Sequence, residues 1–227
     1  LDLHQDGHEL GLVSAVATDS DDRVYIFNRT PEPAVLIFDR DGRFLDSWGQ
    51  DTFSSPHSIW IDSDDNLYLT DTGDHTLRKC TADGEVLRTW GTPGETGAPG
   101  APFNRPTWAM TGPSGALYVT DGYGQSRVHK FAPSGELLFS WGEPGTGPGQ
   151  FDLPHAVWVD RDERVLVVDR ENHRIQIFDS DGAYLTEWRG FHRPQGIFVD
   201  SNDIVYIAEA RPGVRVLTLD GDLLTEW

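Results

Sequence analysis

The sequence has a single cysteine, Cys80, in 227 residues, so no disulfide can form within the chain. That is compatible with a reducing compartment without establishing one. Positive charge is also scarce: 18 Lys and Arg stand against 37 Asp and Glu, a formal net charge of −19. A nucleic-acid binder needs a basic footprint that releases phosphate counterions, and this surface opposes a polyanion. No apolar run approaches the ~18 residues that span a bilayer. The opening LDLHQDGHELG has no basic and apolar leader pattern, and a leader already removed is equally consistent with it. The compartment stays open. No segment sustains a helical period of apolar residues.

What the chain has in abundance is periodic. DGRFLDSWG, DGEVLRTWG, SGELLFSWG, DGAYLTEWR and DGDLLTEW are five copies of one unit, with glycines at 42, 84, 135, 182 and 221 and tryptophans at 48, 90, 141, 188 and 227, six residues apart in every copy. A second frame opens each copy. SPHSIWID, RPTWAMTG, LPHAVWVD and RPQGIFVD carry Pro56, Pro106, Pro154 and Pro194, and fifteen residues after each comes an acid: Asp71, Asp121, Asp169 and Glu209. The first copy fits with Val13 at the proline position and Asn28 at the acid position. The period is about 40 residues, a length that suits a four-stranded unit.

Each copy reads as four short strands. In the fourth, AVWVD alternates, RVLVVD and RIQIFD are β-branched and apolar, SDG is a tight-turn signal, and AYLTEW closes the unit. The expected fold is all-β: a β-propeller in one domain over 1–227, with blades near 12–49, 55–91, 105–142, 153–190 and 192–227. The recurrent tryptophans are expected to pack between neighbouring blades. The recurrent acids are expected to cap backbone N–H groups of their turns. Two Gly/Pro-rich inserts, TPGETGAPGAPFN and EPGTGPGQFD, read as loops. They join the last strand of one blade to the first of the next, on the face where the first strands start. His75, His129, His173 and His192 share no evident frame and read as solvated.

The units resemble NHL repeats. The stretch LYVTDGYGQSRVHKFAPSGELLFSWGEPGTGPGQFDLPHAVWVDRDERVLVVDRENHRIQIF is also similar to the peptidyl-α-hydroxyglycine α-amidating lyases, with DGY..SR, PGQF..PH and DRENHRIQ.F in the same order. VYIFNR and PHSIWIDSDDNLYLTD resemble that family's first- and second-blade segments. The resemblance implies a six-bladed propeller, of which five repeats are visible and the last blade is missing or incomplete. It implies a zinc ion held by histidines, carried over here to His57 and His155, with no third ligand identified. It implies catalytic roles for Tyr123, Arg29 and Arg170, and a structural calcium held largely by backbone carbonyls. The family's disulfides are absent.

The residues themselves add a physical argument. The position after each proline frame is Ser14, His57, Thr107, His155 and Gln195, so histidine occupies copies two and four. Three neutral imidazoles around an open position form a catalytic zinc geometry. The third could lie on a missing blade or come from His4 or His8, or the chain could close with five blades. Arg29 and Arg170 each follow the acid position and offer rigid forks for a carboxylate. Phe103, Phe151 and Trp108 are expected to line a substrate pocket. Two classes of function follow. One is a metal-dependent C–N lyase acting on a small-molecule or peptide α-hydroxyglycine. The other is a propeller without this chemistry, either a protein- or peptide-binding platform or a hydrolase or lyase for another small substrate.

Overall fold

A computed structural model of the chain describes residues 10–30, 32–211 and 213–227. No helix occurs among them; every regular element is a strand. Contacts divide the chain into two compact units, Leu1–Ala109 and Met110–Trp227, with the boundary inside one strand.

In the first unit, β1 (Val13–Thr18), β2 (Val24–Asn28), β3 (Val35–Phe38) and β4 (Phe44–Trp48) form one antiparallel sheet in chain order. β5 (Pro56–Ile61), β6 (Leu67–Asp71), β7 (Thr76–Cys80) and β8 (Val86–Trp90) form the next. β9 (Trp108–Thr111) crosses the boundary and edges a sheet with β10 (Leu117–Asp121), β11 (Arg127–Phe131) and β12 (Leu137–Trp141). A two-residue parallel pair, β13 (Glu143–Pro144) and β14 (Gln150–Phe151), closes the second Gly/Pro-rich loop. Two more four-stranded sheets follow: β15 (Pro154–Val159), β16 (Val165–Asp169), β17 (Arg174–Phe178) and β18 (Tyr184–Arg189), then β19 (Pro194–Val199), β20 (Ile204–Glu209), β21 (Val214–Thr218) and β22 (Leu223–Glu226). These are the five predicted repeats, each an antiparallel meander.

The proline–acid frame is a register pair. Pro56 faces Asp71, Pro154 faces Asp169, Pro194 faces Glu209, and Val13 faces Asn28. The acid closes the turn around that pair. Asp71 accepts the amides of Ser54, Ser55 and Gly73 at 2.6–2.8 Å, and Asp169 accepts that of Asp152 at 2.8 Å. Buried backbone donors require such partners.

The Trp–Gly frame locks consecutive sheets. A Cβ on Gly84 would lie 2.7 Å from the Trp48 indole, one on Gly182 3.1 Å from Trp141, and one on Gly221 2.5 Å from Trp188. At Gly84, Gly182 and Gly221 the turn glycine therefore satisfies a positive φ and also receives the preceding repeat's tryptophan. Within the first unit Tyr25, Phe27, Val35, Ile59, Leu67 and Leu69 form a core against which Trp48 and Phe53 pack.

A further repeat concerns the turn between the first two strands. Asp19, Asp62, Asp160 and Asp200 each accept the amides two and four residues on. The third copy has Gly112 instead, where a Cβ would lie 2.9 Å from Val159. Close approach of the neighbouring sheet excludes the acid there. The Tyr118 hydroxyl is consequently without a hydrogen-bond partner among the described residues, whereas Tyr25 donates to Asp19 at 3.0 Å.

Candidate active site

His57 and His155 sit at equivalent starts of inner strands and are only 5% and 7% exposed. Each is anchored by the repeat that follows it. His57 Nδ1 lies 2.6 Å from the carbonyl of Thr107, and His155 Nδ1 lies 2.6 Å from the carbonyl of Gln195. Thr107 and Gln195 themselves occupy the position after the proline. A carbonyl can only accept, so Nδ1 carries the proton in both rings and the neutral imidazole presents its lone pair at Nε2. This backbone-fixed tautomer is what a histidine ligand or acceptor requires.

In the second unit that lone pair meets Tyr123. The Tyr123 hydroxyl is 3.2 Å from His155 Nε2, and the two rings meet edge to face at 5.7 Å. Gly122 makes the contact possible: a Cβ there would fall 2.2 Å from the Pro154 carbonyl. Only glycine lets the β10–β11 turn close onto the start of β15 and deliver Tyr123 to His155.

Arg170 completes the cluster. Its guanidinium carbon lies 5.8 Å from the Tyr123 ring centroid, within cation–π range. Nε donates to Glu171 at 2.9 Å, and the Arg170 side chain makes no other hydrogen bond or ion pair among the described residues. Its side chain is only 14% exposed, so two Nη groups are held in a sheltered place without an acceptor among the described residues. In the first unit Arg29 is arranged alongside His57: its Nε donates to the Pro56 carbonyl at 2.8 Å, and none of the described carboxylates pairs with it.

Phe103 and Phe151 do not form pocket walls. Both are core residues, 1% and 0% exposed. Phe53, Phe103, Phe151 and Phe191 all stand three residues before the proline position. Phe53, Phe103 and Phe151 fill the space beside the glycine that follows the tryptophan, at Gly49, Gly91 and Gly142. Phe151 packs on Phe178 with centroids 5.7 Å apart. Trp108 is half-buried at the start of β9, directly after the carbonyl that anchors His57.

Of the remaining histidines, His173 is exposed, as expected, whereas His75 and His192 are half-buried and His129 is buried. His75 and His173 share a frame, four residues after the acid; both have left-handed φ, 64° and 56°, and both accept a backbone amide at Nδ1, from Arg105 and Arg193. His192 stacks on His173 at 5.9 Å. His129 is fully buried between Ser140 and Asp121, at 2.7 and 3.3 Å. Its register position is that of Arg78 and Gln176, which also lie beside their repeat's acid, so it is part of the sheet's polar stitching.

Among the described residues no group of three or more His, Cys, Asp or Glu side chains is arranged to hold a metal ion; His4 and His8 lie outside them. Burial pushes the Cys80 thiol up to about 11, so it is a packing residue. No helix among the described residues is long and apolar enough to cross a membrane.

Comparison with known proteins identifies the repeat and the fold. Residues 151–178 match the NHL repeat model. The chain is a β-propeller built of NHL-type repeats. Human NHL repeat-containing protein 3 is 36% identical over 200 residues, covering 82% of this chain and 57% of that protein. The Drosophila melanogaster peptidyl-alpha-hydroxyglycine alpha-amidating lyase 1 is 28% identical over 217 residues, covering 79% of this chain and 40% of the relative. The chain thus spans little more than half of the first and less of the second. A streptogramin B lyase structure superposes with a TM-score of 0.73 over 95% of this chain and 68% of that one, at 15% identity, a likeness of fold alone.

Proposed function

We propose that this propeller is a carbon–nitrogen lyase that splits an α-hydroxyglycine-type carbinolamide into an amide and glyoxylate. The observation that carries the reading is the cluster of Tyr123, His155 and Arg170, where a phenol touches a tautomer-fixed imidazole beneath a guanidinium whose Nη groups have no acceptor among the described residues. The names and identities of the amidating lyases support it. In the reaction the carbinol hydroxyl loses a proton and the C–N electron pair goes to nitrogen. Nitrogen takes up a proton, and the carbinol carbon becomes the aldehyde of glyoxylate.

Tyr123 Oη is the group placed to hold the transferred proton. Arg170 binds the substrate carboxylate through its Nη groups, and Arg29 is the corresponding arginine of the first unit. Zinc ligation by His57 and by His155 is what the resemblance implies; at His155 the metal would take the Nε2 lone pair that the Tyr123 hydroxyl now meets. Zinc bound there would stabilise the ionised hydroxyl oxygen.

The test is glyoxylate release from an N-acyl-α-hydroxyglycine. Wild type is expected to turn over, and Tyr123→Phe to lose about 10²–10⁴-fold in kcat, the usual span for a proton-transfer group. Metal analysis of wild type, His57→Ala and His155→Ala accompanies it, with zinc expected to fall in both variants. A wild-type protein that releases no glyoxylate favours a second reading, a binding platform. That reading draws on the higher identity to a relative named only for its NHL repeats.

A further inference from the structure

Beside the cluster stands a carboxylate that the reaction does not use. Glu171 Oε1 accepts from Arg170 Nε at 2.9 Å and from Arg193 Nη2 at 2.6 Å. Arg193 opens the next repeat. Its own backbone is fixed, with φ of 48° and its amide donated to His173 Nδ1 at 3.0 Å. The two arginines hold the Glu171 carboxyl below its ordinary range, Arg193 foremost.

From this bridge we infer that Glu171 is a positioning residue for Arg170, with Arg193 as its anchor. An arginine has five N–H donors in a planar fork. Occupying Nε fixes the plane of the Arg170 fork over Tyr123 and leaves the two Nη groups as a paired edge for a carboxylate. A long side chain without that tie must lose its rotamer freedom when the ligand binds, which weakens binding. The inference rests on the lyase reading for its substrate and on the Arg170–Glu171–Arg193 geometry for its mechanism.

The sign of the effect separates positioning from plain charge. Removing the Glu171 charge makes the cluster more positive. If charge alone mattered, Glu171→Met, which removes both the charge and the acceptor, would bind an anion more tightly. The positioning role predicts the reverse: KM for an N-acyl-α-hydroxyglycine rises about 10-fold, kcat stays within about 2-fold, and Kd for the inert N-acylglycine rises in parallel. The corresponding carboxamide, which lacks the anion, binds equally to both proteins. Arg193→Met repeats the KM effect, and Arg193→Lys, which keeps a donor toward Glu171, restores most of it. The Arg170 Nε–H resonance gives a readout free of any activity: slowly exchanging in wild type, rapidly exchanging in Glu171→Met. An unchanged resonance, or unchanged or tighter N-acylglycine binding, overturns the inference. Absence of glyoxylate from wild type with the resonance and N-acylglycine effects intact overturns the lyase reading instead.

Discussion

Arg174 offers the sharpest test of how the second unit is held together. Its side chain is 1% exposed, and all five of its N–H donors are used. Nε donates to Asp169 at 2.8 Å, Nη1 to the Thr146 carbonyl and Glu187 at 2.8 and 2.9 Å, and Nη2 to the carbonyls of Gly147 and Gln150 at 3.0 and 2.8 Å. The guanidinium thus fills a cradle of backbone carbonyls and fastens the loop between β12 and β15 to the sheet. Arg174→Met keeps bulk but removes the cation, leaving three carbonyls and a buried carboxylate short of partners. Breaking a buried pair in this way costs about 3–5 kcal/mol. Arg174→Lys keeps the charge but has three donors on one nitrogen, so it cannot reach both ends of the fork; a loss of about 1–3 kcal/mol is expected from the stranded acceptors. Chemical denaturation followed by tryptophan fluorescence measures both, and hydrogen exchange at Gly145–Phe151 locates the loss. Met within about 1 kcal/mol of wild type, or Lys indistinguishable from it, would refute the claim that the five bonds hold this loop.

Other perturbations follow from the same geometry. Gly122→Ala places a methyl group against the Pro154 carbonyl, which is backbone and cannot step aside; a loss of about 1–3 kcal/mol is expected, together with loss of glyoxylate release as Tyr123 leaves His155. Phe151→Ala should cost about 3–5 kcal/mol in denaturation, as deletion of a buried aromatic does, while KM of any surviving folded enzyme stays near wild type; the opposite pattern would return Phe151 to the pocket. Acid titration of the melting temperature should show loss below about pH 4. Burial opposes ionisation of Asp62, but Asn66 and Lys79 hold its carboxyl below 3.8, and the Ile204 amide does the same for Asp200. Folded values depressed in this way contribute stability that is complete above 3.8 and disappears as pH falls through them. Asp62→Asn should flatten that part of the profile.

Much of the fold was legible because its determinants are local and repeated. The fifteen-residue proline–acid interval is the distance along the chain between two residues that face each other across β5–β6, β15–β16 and β19–β20. The six-residue Gly–Trp interval places a left-handed turn and an indole at the two ends of each last strand. Equivalent positions were legible for the same reason: the matching frame positions of His57 and His155 do become equivalent environments. What escaped the sequence depends on partners distant along the chain. His129 looks like a surface histidine until Asp121 and Ser140 close around it. Phe103 and Phe151 look like pocket walls until the glycine after each tryptophan leaves room for their rings. The shared frame of His75 and His173 was visible in the spacing from the acid, but the extra residue in the third copy masks it.

The way His57 and His155 are seated has an evolutionary consequence. Each imidazole is oriented by a main-chain oxygen of the following repeat, and a main-chain oxygen is present whatever side chain that repeat carries. A histidine gained at this position arrives with its tautomer already chosen. The side chains at these strand starts can thus change one repeat at a time without changing what orients an imidazole placed there.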